Sequence, residues 1–296
     1  MRAFAGFIGT FPVRFRPRLR SRLLSDPAAP HGTAIDRSGP HIDRKNTLGA
    51  AHPLSRPCSW IDNQPPPLDN ARVTAAASPT RRPKPLRPSL RFEREAWAGG
   101  AYWVAGVDEV GCGPLAGPVA AAVVALPPDR RFRWYSHVRD SKMLSEAARD
   151  ELAPKIRDSV PFAIGWASHT EIDRIGILPA RRLCMLRAFE QLGVKPDAII
   201  SDALKLPLPN VRAVIHGDAL SVAVGAASIV AKVARDALMT ELCSRYPGYG
   251  FCQHKGYATP MHKLQLQRRG PCDIHRRSYA PVAESWAANL ASAAPS

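Results

Sequence analysis

Residues 105–119 read AGVDEVGCGPLAGPV. A valine-rich apolar run closes on two adjacent carboxylates, Asp108 and Glu109, and a glycine-dense turn follows at once. Short β-branched runs bounded by glycine read as strands. On a regular strand, neighbouring side chains point to opposite faces. Asp108 and Glu109 can therefore serve one site only where the strand ends or bends, which Gly111 and Gly113 permit. The turn carries neither the GK[ST] of a P-loop nor the GxGxxG of a dinucleotide fold, so neither kind of phosphate cradle is expected.

The pattern recurs downstream. DAIIS (197–201) is a short buried strand ending at Asp202, and VRAVIHG (211–217) is another ending at Asp218. PVAAAVVAL (118–126) pairs with the first strand as a hairpin or neighbour, and PFAIGWAS (161–168) is a further strand. Ser145 heads a helix through SEAARDELAPKIRDSV as its N-cap. ILPARRLCMLRAFEQLGV (177–194) has helical periodicity stopping at Gly193. LSVAVGAASIVAKVARDALMTELCSRY (220–246) is a long helix whose alanines allow close approach to a sheet. Strands alternating with helices specify an α/β domain.

Functional groups gather at strand ends in such sheets. Carboxylates brought together there repel and raise one another's pKa, unless divalent cations neutralise them. Oxygen-only ligands select Mg²⁺ or Mn²⁺. Two such ions roughly 3.5–4 Å apart can activate water and stabilise the leaving oxygen in phosphodiester cleavage. Taken singly, each acid reads as well as a cap or an ion-pair partner.

Charge points the same way. Lys and Arg number 41 against 25 acidic residues, a net charge of +16, and the pI is about 10.2. A polyanion, most simply nucleic acid, is the expected partner, with solubility the plainer alternative. Residues 1–96 hold 17 of the basic residues, 7 of the acidic ones and 14 of the 29 prolines, with no sustained period. This stretch is expected to be a disordered basic arm, and residues 97–296 the folded domain. The Arg-rich start has some likeness to a mitochondrial presequence; a start assigned too far upstream and a tail that seeks nucleic acid are the other readings. It is not a secretory signal, because the Arg cluster follows the apolar run. No apolar run approaches the ~20 residues that span a bilayer. The six cysteines show no CxxC pair or zinc-finger spacing and read as free thiols of a reducing compartment, with Cys184 in the core. A cytoplasmic monomer with no membrane association is expected.

Taken together, the blocks AGVDEVGCGPLAGPV, DSKMLSE (140–146), EIDRIGIL (171–178), GDAL (217–220) with AASIVAKVARD (226–236), YGFCQHKGYATPMH (249–262) and HRRSYAPV (275–282) resemble, in order, the bacterial ribonuclease HII (type 2 ribonuclease H) family. The resemblance covers roughly residues 102–282. It implies an RNase H-like mixed sheet flanked by helices, with a helical C-terminal portion. It also implies cleavage of RNA in RNA–DNA hybrids, and cleavage 5′ of ribonucleotides embedded in duplex DNA, leaving 3′-hydroxyl and 5′-phosphate ends. That activity would serve DNA replication and repair. The family's metal ligands fall on Asp108, Glu109, Asp202 and Asp218. Its 2′-hydroxyl-reading turn falls on Gly111, Cys112 and Gly113, and its sugar-stacking aromatic on Tyr257. Lys142, in the DSK block, is expected to contact a backbone phosphate.

Three departures stand out: Cys112 where the family usually has Arg, His216 where it has Lys, and Ala203 where it has Gly. Arg pairs with phosphate and Cys does not. A nucleic-acid-binding module with weakened or lost cleavage, and a two-metal nuclease acting on plain DNA, are therefore the alternatives. Of the remaining residues, Lys232 and Asp236 read as an intrahelical pair. Ser228 is a possible phosphate neighbour, His254 a solvated loop histidine or a phosphate contact, and Trp103 and Trp166 core.

Overall fold

The computed structural model describes residues 87–293; the expectations about residues 1–86, with Cys58, lie outside them. Strand β1 (Val104–Val110) lies at the centre of a five-stranded sheet. On one side it pairs antiparallel with β2 (Val119–Leu126), which pairs antiparallel with β3 (Phe162–Ala167). On the other side it pairs parallel with β4 (Ala198–Asp202), followed by β5 (Val211–Val214). The spatial order is β3-β2-β1-β4-β5. The expected hairpin and mixed α/β sheet are both present.

Every residue of β2 is buried, as expected where helices cover both faces of a sheet. The pleat sorts the side chains. Ala105, Val107, Ala121 and Val123 pack with Ala180, Cys184, Met185 and Ala188 of α4 (Ile177–Glu190). Ala122 and Val124 pack on the opposite face with Ala223, Ala226 and Val230 of α6 (Val222–Arg245) and with Leu152 and Ile156 of α2 (Glu146–Arg157). The small residues set the spacing of these layers. A Cβ at Gly106 would collide with the backbone of Ala223 and Val224, and one at Gly165 with the Cys184 carbonyl. Ser145 caps α2 by accepting from the Ala148 N–H, as read from the sequence. A short α3 (His169–Ile175) with a Ser168–Glu171 capping box precedes α4.

The boundary placed after residue 96 falls inside a helix. Helix α1 (Arg91–Ala98) belongs to the fold, and its Glu93 is fully buried. Glu93 Oε1 accepts from the Ser221 hydroxyl at 2.6 Å and the Ala223 N–H at 2.8 Å, closing the N-terminus of α6. The charged sequence of α1 hid this, because the one acid that matters is buried among exposed ones.

Beyond α6 the chain is helical, with α7 (Phe251–His254), α8 (Pro260–Arg269) and α9 (Ala280–Ala293). Cys243 and Cys252 are joined as a disulfide with Cα atoms 5.3 Å apart, which corrects the reading of all cysteines as free thiols. The turn between α6 and α7 brings the two within disulfide reach. Cys112, Cys184 and Cys272 are free. Among the described residues no helix is long and apolar enough to cross a membrane.

Candidate active site

Strand β1 stays regular through Val110, which pairs with Ala120. Asp108 and Glu109 therefore leave opposite faces of the sheet, and the expected bend does not come between them. Asp108 faces α6, where Ser228 hydrogen-bonds its carboxylate. Glu109 faces α4, where Arg181 Nη2 lies 2.6 Å from its Oε1. The two acids flank the C-terminal end of one central strand.

Asp202 ends the neighbouring β4, and its Oδ1 accepts from the Gly217 N–H at 2.8 Å. Asp218 does not end a strand as the sequence suggested. Strand β5 stops at Val214, and Asp218 sits in the first turn of a short α5 (Gly217–Leu220). His216, in the left-handed region at φ 58°, makes the turn between them.

The four acids sense one another. Burial, and then the Glu109, Asp202 and Asp218 charges, push the Asp108 carboxyl well above its ordinary value, with Ser228 opposing. Burial raises Glu109 as well, Asp202 adds to the rise, and Arg181 opposes it. Asp218 is raised by burial and by Asp140 and Asp202. Asp202 thus acts on the other three. Lys142 Nζ lies 3.7 Å from Asp218 Oδ2 with its side chain 83% exposed. Burial works against its charge, but Asp140, Asp218, Asp108 and Asp202 raise its pKa overall.

Among the described residues no three His, Cys, Asp or Glu side chains are already drawn into a metal cage. The donor chemistry nevertheless suits a hard cation. All four groups offer oxygen, and Glu109 Oε2 is buried with no hydrogen-bond partner. Negative charge is concentrated where, among the described residues, Lys142 and Arg181 are the only ion-pairing cations, which is the arrangement a divalent ion would relieve.

The turn after β1 is rigidly supported. Gly111 has φ 95°, a left-handed backbone in which a Cβ would also collide with the Arg235 guanidinium. Gly113 is exposed and a Cβ there would meet open space. The buried Arg276 donates through Nη2 to the Gly111 carbonyl at 2.7 Å, through Nη1 to that of Cys112 at 2.9 Å, and through Nε to that of Gly117 at 2.9 Å. The Tyr279 hydroxyl also donates to the Cys112 carbonyl, at 2.5 Å. Arg235, equally buried, donates to the carbonyls of Ala116, Pro118 and Lys255. Neither arginine forms an ion pair among the described residues. The Cys112 thiol lies 3.7 Å from Glu109 Oε1. Burial and the Glu109 charge push its pKa up to about 12, so it is a neutral donor.

Tyr257 is 38% exposed, with the cations of Lys232 and Arg235 at 5.7 and 5.8 Å from its ring centroid. Arg235 thus links Tyr257 to Gly111. A buried histidine chain holds the Tyr257 backbone. The Cys272 N–H donates to His275 Nδ1 at 2.9 Å. His275 Nε2 then donates to His262 Nε2 at 3.1 Å, and His262 Nδ1 to the Tyr257 carbonyl at 2.8 Å. Burial lowers His275 to about 3 and His262 to about 4, keeping the chain neutral.

Other expectations meet mixed outcomes. Lys232 and Asp236 form the intrahelical pair at 2.8 Å. Ser228 is buried and shares a 2.9 Å hydrogen bond with Ser141, so it ties the DSK loop to Asp108 and is not an open phosphate contact. His254 is no solvated histidine: it is buried, donating to the Tyr249 carbonyl and accepting from the Gly256 N–H. Trp103 and Trp166 are half-buried. Arg181, Arg235, Arg276 and Glu93 went unremarked in the sequence. The signal for Arg181 was its place one turn before Cys184 on a core-facing helix; for the other two arginines it was membership of the AKVARD and HRRSY blocks.

Residues 105–282 match the family model described as Ribonuclease HII. The chain is 50% identical over 204 residues to a ribonuclease HII of Anaeromyxobacter sp. (strain Fw109-5), an alignment covering 68% of this chain and 64% of that protein, just under two thirds of its length. It is 49% identical over 203 residues to a ribonuclease HII of Myxococcus xanthus (strain DK1622), covering 68% and 69%. The fold resembles the crystal structure of ribonuclease H2 from Pyrococcus horikoshii OT3, with a TM-score of 0.54 and 28% identity, covering 63% of this chain and 98% of that one. The matched segment holds all four acids, both buried arginines and the histidine chain, and the chain belongs to the ribonuclease HII family.

Proposed function

We propose that this protein is a divalent-metal-dependent endoribonuclease, cutting RNA in RNA–DNA hybrids and the strand 5′ of single ribonucleotides in duplex DNA. The observation that carries the reading is that Asp108 and Glu109 near the end of β1, Asp202 at the end of the paired β4, and Asp218 in α5, whose Gly217 N–H donates to Asp202, lie beside a glycine turn. These four residues would hold Mg²⁺ or Mn²⁺. Bound there, such ions supply positive charge against the reacting phosphate and make water nucleophilic near neutral pH.

The chain's own residues supply selectivity and positioning. Arg276 and Tyr279 fix the Gly111–Cys112–Gly113 turn as a preorganised backbone surface. The open space at Gly113 admits a ribose, and the turn's backbone groups read its 2′-hydroxyl, the group that separates RNA from DNA. Tyr257 offers an exposed ring for an adjoining sugar. Lys142, exposed yet within reach of Asp218, offers a cation to a backbone phosphate.

The test is incubation of the full chain with a duplex carrying one ribonucleotide, alongside an all-DNA duplex, with Mg²⁺ or Mn²⁺. A single nick 5′ of the ribonucleotide, no cut in plain DNA, and loss of cleavage in Asp108→Asn with binding retained are expected. Binding without a nick under either ion would instead indicate a binding module, and cutting of both duplexes a general nuclease.

A further inference from the structure

Arg181 is the functional side chain that the acidic-cluster reading leaves unused. It projects from α4 toward the turn and meets Glu109 Oε1 with Nη2 at 2.6 Å. Its side chain is the more exposed partner, 24% against 10% for Glu109. The pair is also incomplete on both sides. Arg181 Nε and Glu109 Oε2 are each buried without a hydrogen-bond partner among the described residues.

An ordinary structural ion pair would close these valences, since a guanidinium and a carboxylate match as a two-point fork. Here one oxygen of Glu109 holds the arginine and the other is left over. Likewise one nitrogen of Arg181 is used and an N–H is left over. Arg carries five donors in a fixed plane that fits phosphate oxygens. The Cys112 side chain approaches the same Glu109 oxygen, at 3.7 Å, but carries no cationic group to meet an anion. The glycine turn thus has no cation of its own at its centre, and the guanidinium beside it comes from a different element.

We propose that Arg181 is a substrate-binding residue, held in place by one oxygen of Glu109 and contacting a phosphodiester oxygen of the nucleic acid next to the glycine turn. The proposal rests on the nuclease reading above. It assigns Glu109 two tasks: Oε1 orients Arg181, and Oε2 faces the cation site.

The test uses the full chain and a labelled duplex with one ribonucleotide, with affinity read by fluorescence anisotropy in Ca²⁺ and cleavage in Mg²⁺ or Mn²⁺. Arg181→Ala is expected to weaken binding about tenfold, as for loss of one charge-assisted hydrogen bond. KM should rise by a similar factor with kcat little changed, and the salt slope of log Kd should fall by about one. Arg181→Lys should retain part of the affinity. Because residues 112 and 181 address the same Glu109 oxygen, adding Cys112→Arg to Arg181→Ala should restore most of it. Should Arg181→Ala fail to fold, Arg181→Gln, of similar length and neutral, serves in its place.

Unchanged affinity and salt slope in a folded variant overturn the proposal. So does a fall in kcat at unchanged affinity, which would make Arg181 a support for Glu109 alone. In both cases wild-type cleavage persists and the nuclease reading stands. If the wild type neither binds nor cuts the duplex, both readings fall.

Discussion

Asp108→Asn should make the metal-free protein more stable while removing the ability of metal to stabilise it. In the wild type a buried carboxylate faces three others, with the Ser228 hydroxyl and the Glu109 N–H, at 2.8 Å, as its compensating donors. Asparagine keeps an oxygen for both donors and removes the charge. Relieving an unfavourable functional-site charge of this kind typically yields about 0.5–2 kcal/mol. For a domain of this size each kcal/mol moves Tm by roughly 2–4 °C, so a rise of roughly 1–8 °C in EDTA is expected.

The pH dependence fixes the cause. Asp108 is raised above the ordinary 3.8 in the folded state. Its cost is therefore absent below that value, where folded and unfolded chains are both protonated. It grows as pH rises from the unfolded value to the folded pKa and is constant above that. The gain in the variant should vanish in acid and appear as pH rises above the ordinary carboxylate range. Adding Mg²⁺ or Mn²⁺ at about a hundred times its Kd should stabilise the wild type by about 2.7 kcal/mol and the variant far less. Paired melting curves with EDTA and with metal, across pH, provide the measurement. A variant that melts below the wild type in EDTA at neutral pH, or that shows the full metal-induced rise, would refute the reasoning.

Glu93→Ala should lower stability by about 1–3 kcal/mol, because the Ser221 hydroxyl and Ala223 N–H lose their buried acceptor. Glu93→Gln should instead match or exceed the wild type at neutral pH. Burial raises the Glu93 pKa, so the wild type loses stability as pH rises through it, and the difference should disappear in acid melts. Ala203→Gly, at φ 52° directly after Asp202, should relieve about 1 kcal/mol of left-handed strain, read as a Tm gain of roughly 2–4 °C. Arg276→Met strips the Gly111 and Gly117 carbonyls of their side-chain donor and leaves the Cys112 carbonyl to Tyr279, and should cost about 2 kcal/mol or more in urea unfolding. The preference for ribonucleotide-bearing over plain duplex should shrink with it, whereas a wild-type preference would show that the turn holds itself.

The strands and the acids were legible because their signals are local. A run such as VAGVDEV shows both its strand character and the carboxylates near its end, and Ser145 shows its cap. What stayed hidden depends on distant partners. Nothing near Arg276 in the chain says that its guanidinium lies on the carbonyls of Gly111, Cys112 and Gly117. Glu93 looks like one charge among many in RFEREAWA, and only its contact with Ser221 and Ala223, far along the chain, singles it out. The strand end that Gly111 and Gly113 permit comes after Val110, which still pairs with Ala120, so Asp108 and Glu109 stay on opposite faces up to that end. Asp218 was misplaced by a local inference. The apolar period of VRAVIHG runs on, but His216 in the left-handed region turns the backbone into α5.

The site separates two electrostatic problems. Carboxylates are left short of cations where the proposed ion would bind, while two arginines are buried without carboxylates, among the described residues, where the turn is held. Each arrangement is costly alone, since burial lowers the Arg235 pKa to about 10 and raises that of Asp108. Pairing the two sets would remove both costs and also remove the function, because a carboxylate closed on Arg276 has no valence for metal, and Arg276 so occupied has no donors for the turn. The six backbone carbonyls that take the arginine donors are the physical reason the charges stay apart. They satisfy each guanidinium with dipoles, which neutralise nothing. On the proposed function, recognition of the ribose and capture of the cation would be carried by different supports, and damage to one should leave the other measurable.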